Sequence, residues 1–341
     1  MIVRKNLSFK DIFKFSGQHL IWLFPWMLLV AIVYYFTRWK FITIPWLPLS
    51  LIGTAVAFYL GFKNNQAYDR IWEARKIWGA MVNDSRKFAT MIKHYQSSEE
   101  NKIDEDEMML RKKIIFRHIS WLYQLRSQLL VPTKWEHVSL SGIYGSYNQK
   151  RRNNLFNDFK DELGEISRQH YLSEEEMNSL EKFNNKAVQL LDTQTECIQQ
   201  LYKTGKINTM QQSDLQMVIN NFYDEQGKAE RIKNFPFPRN YASHGFVFTC
   251  IFIFLLPFGI VGELAKLGDS MIWLSVPVGV IVGWIYVVME LTGDYSENPF
   301  EGLRYDIPML SVCRTIEIDL LQMFGEKEIP KAVQAKNGVL L

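Results

Sequence analysis

FITIPWLPLSLIGTAVAFYLGF, residues 41–62, runs straight into KNNQAYDRIWEARKIWG, residues 63–79, and the reading of this join decides the fold. Phe41 to Phe62 carries no charge and meets the length of about 20 apolar residues that a helix needs to cross a bilayer core. From Lys63 the chain continues without proline or glycine as far as Gly79. The join therefore reads as one helix, apolar in its first half and charged in its second, leaving a membrane for water. Thr54, Phe58 and Phe62 stand at i, i+4 and i+8 and share one helical face. Asn65, Asp69 and Trp72 carry nearly the same face past the membrane boundary. A face that turns from aromatic to polar at that boundary suits a pore wall.

Outward from this stretch, three more uncharged blocks stand at Leu20–Thr37, Gly245–Gly262 and Met271–Met289. The 341 residues are 48% hydrophobic, and the 22% that are charged crowd between and around the blocks. The short links Arg38–Lys40 and Glu263–Ser270 make two antiparallel hairpins of spans. Four spans place both termini and the middle of the chain on one side. Arg38 and Lys40 weigh against a strict positive-inside count, yet Lys5, Lys10, Lys14, Lys63, Arg70, Arg75 and Arg239 flank membrane ends on the shared side, which reads as cytoplasmic. The first block lacks a small-residue cleavage site and reads as a span, not a signal peptide. The expected order is an N-terminal segment at 1–19, two spans within 20–62, a helical cytoplasmic region at 63–239, two spans within 240–291 and a cytoplasmic segment at 292–341.

Within 63–239, apolar residues recur at helical spacing at Ile71, Trp72, Ile77, Trp78 and Met81, at Ile114 to Leu125, and at Ala187 to Leu201. Ser97–Glu107 reads as a charged turn, Pro132–Asn154 as an irregular connection, and Met210–Ile232 as a helix broken by Asn234–Pro238. The tail holds a helical Ile316–Phe324 and a loose end after Pro330. Met1–His19, with Phe9, Ile12, Phe13 and Phe15 among lysines, suits either the membrane interface or packing on the cytoplasmic region.

No enzyme signature is present: no phosphate-binding glycine loop, no HExxH, no GxSxG. Cys197, Cys250 and Cys313 are far apart and match no metal spacing, so neither a metal site nor a disulfide framework is expected. A net charge of +3 gives no case for nucleic acid. His244 and Glu290 read as boundary residues. Asp69, Arg70 and Glu73 can interlock with other helices as fasteners or meet permeating ions. Asp294, Glu297, Glu301 and Asp306 invite a calcium reading, but they are spaced out and follow no EF-hand pattern, so a solvated or salt-bridged loop is expected.

LGFKNNQAYDRIWEARKIWG, the ERIKNFPFP approach to the third span, and ENPFEGLRYDIPM with VCRTIEIDLLQM together resemble the bestrophin family of ion channels in its bacterial branch, over nearly the whole chain. The resemblance implies an all-α membrane protein, with four transmembrane helices per subunit, a helical cytoplasmic domain and a homopentamer around one central pore. It puts a hydrophobic neck at Thr54, Phe58 and Phe62 and a cytoplasmic constriction at about Met210. Thr54 replaces the family's usual aliphatic residue, which would ease wetting there. The acidic run of the animal calcium clasp is replaced by Tyr295–Pro299, so calcium activation is not implied. No cofactor is implied either; the partners are monovalent ions, the lipid bilayer and further copies of the chain, in a bacterial inner membrane.

Branch resemblance favours cations such as sodium. An anion channel of the same architecture, or a membrane-anchored scaffold without conduction, are the other readings. A secondary transporter fits less well, because the spans hold no embedded charges.

Overall fold

Uncharged runs of the observed length have one stable form in a bilayer, because only a helix satisfies every backbone group within its own segment. Among the described residues, four helical stretches are long and apolar enough to cross a membrane: Phe9–Thr37, Lys40–His94, Arg239–Ala265 and Asp269–Asp294. The computed structural model describes residues 1–97, 103–168 and 171–341. In chain order its helices are α1 (Phe9–Ser16), α2 (Leu20–Thr37), α3 (Trp46–His94), α4 (Glu105–Leu129), α5 (Gly142–Asp158) and α6 (Lys160–Arg168). There follow α7 (Glu174–Leu180), α8 (Lys186–Lys203), α9 (Thr209–Asn234), α10 (Arg239–Ala265), α11 (Ser275–Asp294) and α12 (Met309–Met323).

A membrane unit comprises Arg4–Ile71 and Pro236–Asn298. Its core interleaves Leu23, Met27 and Val30 of α2 with Leu49, Val56 and Leu60 of α3, Phe252 and Leu256 of α10, and Val287 of α11. Lipid offers no hydrophobic drive for such packing, so close backbone approach must supply it. Gly279 and Gly283, one turn apart on α11, meet Met27 and Leu23, and a Cβ on either would stand 2.8–3.0 Å from those side chains. Pro25 and Pro257 lie inside α2 and α10 without ending them. Pro277 falls in the first turn of α11 rather than interrupting a span.

The helix read from residue 41 starts later and ends later. Lys40–Ile42 form a short 3-10 turn and α3 begins at Trp46, because the residue before Pro45 is held extended. Beyond Gly79 it continues to His94. The cost of an exposed helical glycine, about 1 kcal/mol, is outweighed by burial of Trp78, Met81, Phe88 and Ile92.

An extramembrane unit comprises Met1–Val3, Trp72–Phe235 and Pro299–Leu341. Its core joins Trp78 and Phe88 of α3 to Trp121 and Leu122 of α4, Leu201 of α8, Phe222 of α9 and Leu320 of α12. Asp104 caps α4, its carboxylate accepting from Glu107 N at 2.7 Å, and Glu105–Glu107 sit where the helix dipole favours acids. Asn208 and Gln211 form a capping box that starts α9. Two fully buried cations are paired: Arg111 with Glu107, and Arg314 with Glu317, which also accepts from Tyr123 and Tyr171.

Three expectations are corrected here. Pro132–Asn154 is not irregular throughout, because α5 starts at Gly142, where Gly145 fits under the Leu140 carbonyl in a space that excludes a Cβ. The tail after Pro330 is packed: Val333, Val339 and Leu341 are buried, and Ile2 pairs with Val339. The last helix starts at Met309, directly after Pro308. Of the Ser97–Glu107 turn, residues 98–102 lie outside the described residues, and Glu105–Glu107 belong to α4.

Candidate functional site

In the membrane unit α3 has two unlike faces. Gly53, Val56, Leu60, Lys63 and Ala67 are buried against α10 and α11, whereas Thr54, Phe58, Phe62, Asn65 and Asp69 are exposed. Large aromatics at 68% and 52% exposure, Phe58 and Phe62, stand out against this buried stripe. Their rings meet edge to face, 4.7 Å between centroids. The Thr54 hydroxyl donates to Ser50 O at 2.9 Å, so its hydrogen is spent within the helix.

The buried face is fastened by polar bonds that periodicity did not reveal. The Lys63 ammonium donates to the Glu290 carboxylate, with side chains 1% and 10% exposed. Asn64 Nδ2 donates to Met289 O at 3.1 Å, and Gly293 leaves room for the Asn64 side chain, whose Oδ1 lies 2.2 Å from where a Cβ would stand. Arg70 Nε donates to Glu297 O at 2.8 Å, and Arg239 reaches the Glu297 carboxylate at 3.3 Å. Lys63, Ala67 and Arg70 lie at i, i+4 and i+7, one stripe facing α11 and the residues after it. Arg70 therefore bonds away from the exposed face, while Asp69 beside it is exposed. Glu290 holds a partner and is more than a boundary residue. Neither it nor Lys63 carried a signal in the sequence, since a lone charge at a span end is ordinary.

In the extramembrane unit Trp72 is half exposed beneath the Arg75 guanidinium, 5.7 Å from its ring centroid. Glu73 pairs with Lys76 at 2.5 Å on its own helix and also acts electrostatically on Lys228 of α9. Met210, in the first turn of α9, is 79% exposed. The two charged residues 297 and 301 are buried in their respective units and are not solvated. Glu301 takes His137 Nδ1 and Val138 N, both at 3.0 Å. Asp306 accepts from Phe300, Gly302 and Ile307 amides at 2.7–2.9 Å. Burial pushes the Asp306 carboxyl up, and those three donors pull it back. Burial likewise lowers the Lys233 ammonium, against the pull of Glu136. Of the loop acids, Glu297 is salt-bridged to Arg239, while Asp306 is held by backbone amides. Among the described residues no cluster of three or more metal-ligating side chains occurs.

A polytopic helical membrane protein whose second span carries an exposed aromatic-to-acidic face is organised as channel subunits are. Residues 11–322 match the family described as Bacterial/Fungal Bestrophin protein, and the chain belongs to the bestrophin family of ion channels. It is 26% identical over 283 residues to the voltage-dependent anion channel-forming protein YneE of Salmonella typhi, covering 83% of this chain and 78% of that one. The voltage-dependent anion channel-forming protein alr2987 of Nostoc sp. is 28% identical over 273 residues, with 80% and 76% covered. Among solved structures, a bacterial bestrophin homolog from Klebsiella pneumoniae superposes with a TM-score of 0.72 at 21% identity, covering 92% of this chain and 99% of that one. That likeness concerns the fold.

Proposed function

We propose that five copies of the chain form a ring whose central pore passes monovalent ions, sodium among them, with the Phe58 and Phe62 rings as its neck. The observation that carries this is the division of α3 into a fastened face and an exposed face holding Thr54, Phe58, Phe62, Asn65 and Asp69. Cyclic symmetry turns one such face per copy toward a shared axis through head-to-tail interfaces that close. Aromatic rings offer an ion no hydrogen bonds in place of its water, so conduction needs a neck wide enough to stay wet, and closure is dewetting. Met210 supplies the second constriction, and the extramembrane unit and both termini lie in the cytoplasm beneath a bacterial inner membrane. Glu297, Glu301 and Asp306 are occupied with internal partners, which supports gating without calcium.

Cation preference follows from Asp69 standing on the exposed face while Arg70 is turned into Glu297. The second reading, anion conduction, is favoured by the names of the relatives. Current through purified protein in planar bilayers with asymmetric NaCl separates the two. A reversal potential near the sodium value, with conductance altered by Phe58→Ala/Phe62→Ala, supports the cation pore. A potential near the chloride value establishes the anion reading. Absence of current from an assembled ring, under every voltage and calcium condition, leaves a membrane-anchored scaffold.

A further inference from the structure

The start of the membrane unit carries a surface that ion conduction leaves unused. α1 has three sides. Asp11 and Ser16 are buried on the packed side. Trp284 Nε1 donates to Ser16 Oγ at 3.0 Å, and the Phe15 ring meets Tyr295 edge-on at 5.4 Å. Phe9 and Phe13 form the second side, one turn apart and 92% and 61% exposed. Lys10 and Lys14 form the third, again one turn apart and exposed. Arg4, Lys5 and Leu7 are exposed just before the helix. Residues 4–14 carry four basic residues against one acid, and that acid, Asp11, accepts from the Ser8 hydroxyl at 2.7 Å and lies 3.6 Å from Arg4.

The place of this helix names its occupant. One 3-10 turn, Gly17–His19, joins it to the apolar α2, and its packed side rests on Trp284 and on Tyr295, the residue that ends α11. Phe9 and Phe13 therefore stand where spans meet water. An interfacial helix sinks such residues among acyl chains while flanking lysines reach acidic headgroups.

We propose that α1 and the residues before it are a docking surface for anionic phospholipid. Phe9 and Phe13 enter the acyl region, and Lys5, Lys10 and Lys14 meet headgroup phosphates. Continuity with two spans and the excess of basic charge favour a lipid leaflet over a protein partner. The inference stands whether or not α3 lines a pore.

A nitroxide label on Phe9→Cys, in the full chain with the exposed thiol removed by Cys250→Ser, tests it. The chain is reconstituted in nanodiscs of phosphatidylcholine, with or without phosphatidylglycerol, and label collisions with oxygen and a water-soluble nickel chelate are compared. The label is expected to collide mainly with oxygen in phosphatidylglycerol discs and to move toward the chelate in phosphatidylcholine. In Lys10→Gln/Lys14→Gln, phosphatidylglycerol retained through purification should fall about five-fold per lysine. Raised salt on the unmutated basic residues should mimic that variant by screening, which covers the case of a variant that misfolds. Equal depth in both lipids, a label open to the chelate in both, or a label shielded from both colliders by a neighbouring copy would each overturn the proposal.

Discussion

Glu290→Gln is expected to weaken the protein far more than its conservative chemistry suggests. Lys63 and Glu290 sit at 1% and 10% side-chain exposure, so removing the carboxylate strands a buried ammonium. Breaking a buried pair from one side costs about 3–5 kcal/mol, whereas replacing both partners by apolar groups of like volume is often neutral or stabilising. With about 2–4 °C of midpoint per kcal/mol, Glu290→Gln should lower the temperature of half-loss by roughly 10 °C. Lys63→Met/Glu290→Leu should recover most of that loss. Heating detergent-purified protein and following the intact particle by size-exclusion fluorescence reads both numbers. The reasoning fails if Glu290→Gln matches the wild type within about 2 °C, or if the double variant is as unstable as the single one. Either result means that the pair does not hold α3 on α11.

Asp69→Asn should reduce sodium conductance roughly two-fold at low salt, with the effect shrinking as salt screens the ring of charge; equal conductance at low salt would remove Asp69 from the ion path. His118, donating or accepting at Ser85 Oγ over 2.8 Å, has its pKa lowered by burial to about 3 from 6.5. Between those values the unfolded chain binds a proton that the folded chain refuses, so stability falls as pH drops, by at most about 1.4 kcal/mol per pH unit. His118→Gln should flatten that acid limb in pH-dependent denaturation, and an unchanged slope would contradict it. Of the three cysteines, Cys250 is exposed and Cys197 and Cys313 are buried, with the Cys313 thiol pushed up to about 12 by burial. A membrane-permeant maleimide should label the native chain only at Cys250, as mass analysis after Cys250→Ser would check, and the other two only after denaturation.

The spans were legible because they carry no charge, and the exposed face of α3 because it is periodic. A run without charge specifies a bilayer helix by itself, and Thr54, Phe58 and Phe62 declare a shared face by spacing alone. What escaped the sequence is long-range pairing. Nothing within α3 says that Lys63 meets a carboxylate 227 positions later, or that Arg70 turns back toward Glu297 while its neighbour Asp69 turns out. The small-residue repeat Gly279–Gly283 was readable in principle as a close-packing stripe. α5 escaped for a different reason: its polar run around Gly142 and Gly145 has weak apolar periodicity, and only the fit of Gly145 beneath Leu140 accounts for its start. The partners of the carboxylates after α11 could not be chosen from sequence, because Asp306 is held by amides of its own turn whereas Glu301 takes Val138 N from 163 positions away.

The extramembrane unit is assembled from three separate stretches of chain, and this sets an order of events during synthesis. Cys313 of α12 bonds to Leu122 O of α4, and Ile2 pairs with Val339, contacts of very large sequence separation that close late. While the ribosome is making α10 and α11, helices α4, α8 and α9 already exist, but the apolar side that α12 will cover does not yet have its cover. The nascent chain must therefore carry an unfinished core until residues past Pro308 emerge. In that interval, exposed apolar surface favours aggregation or capture by a chaperone.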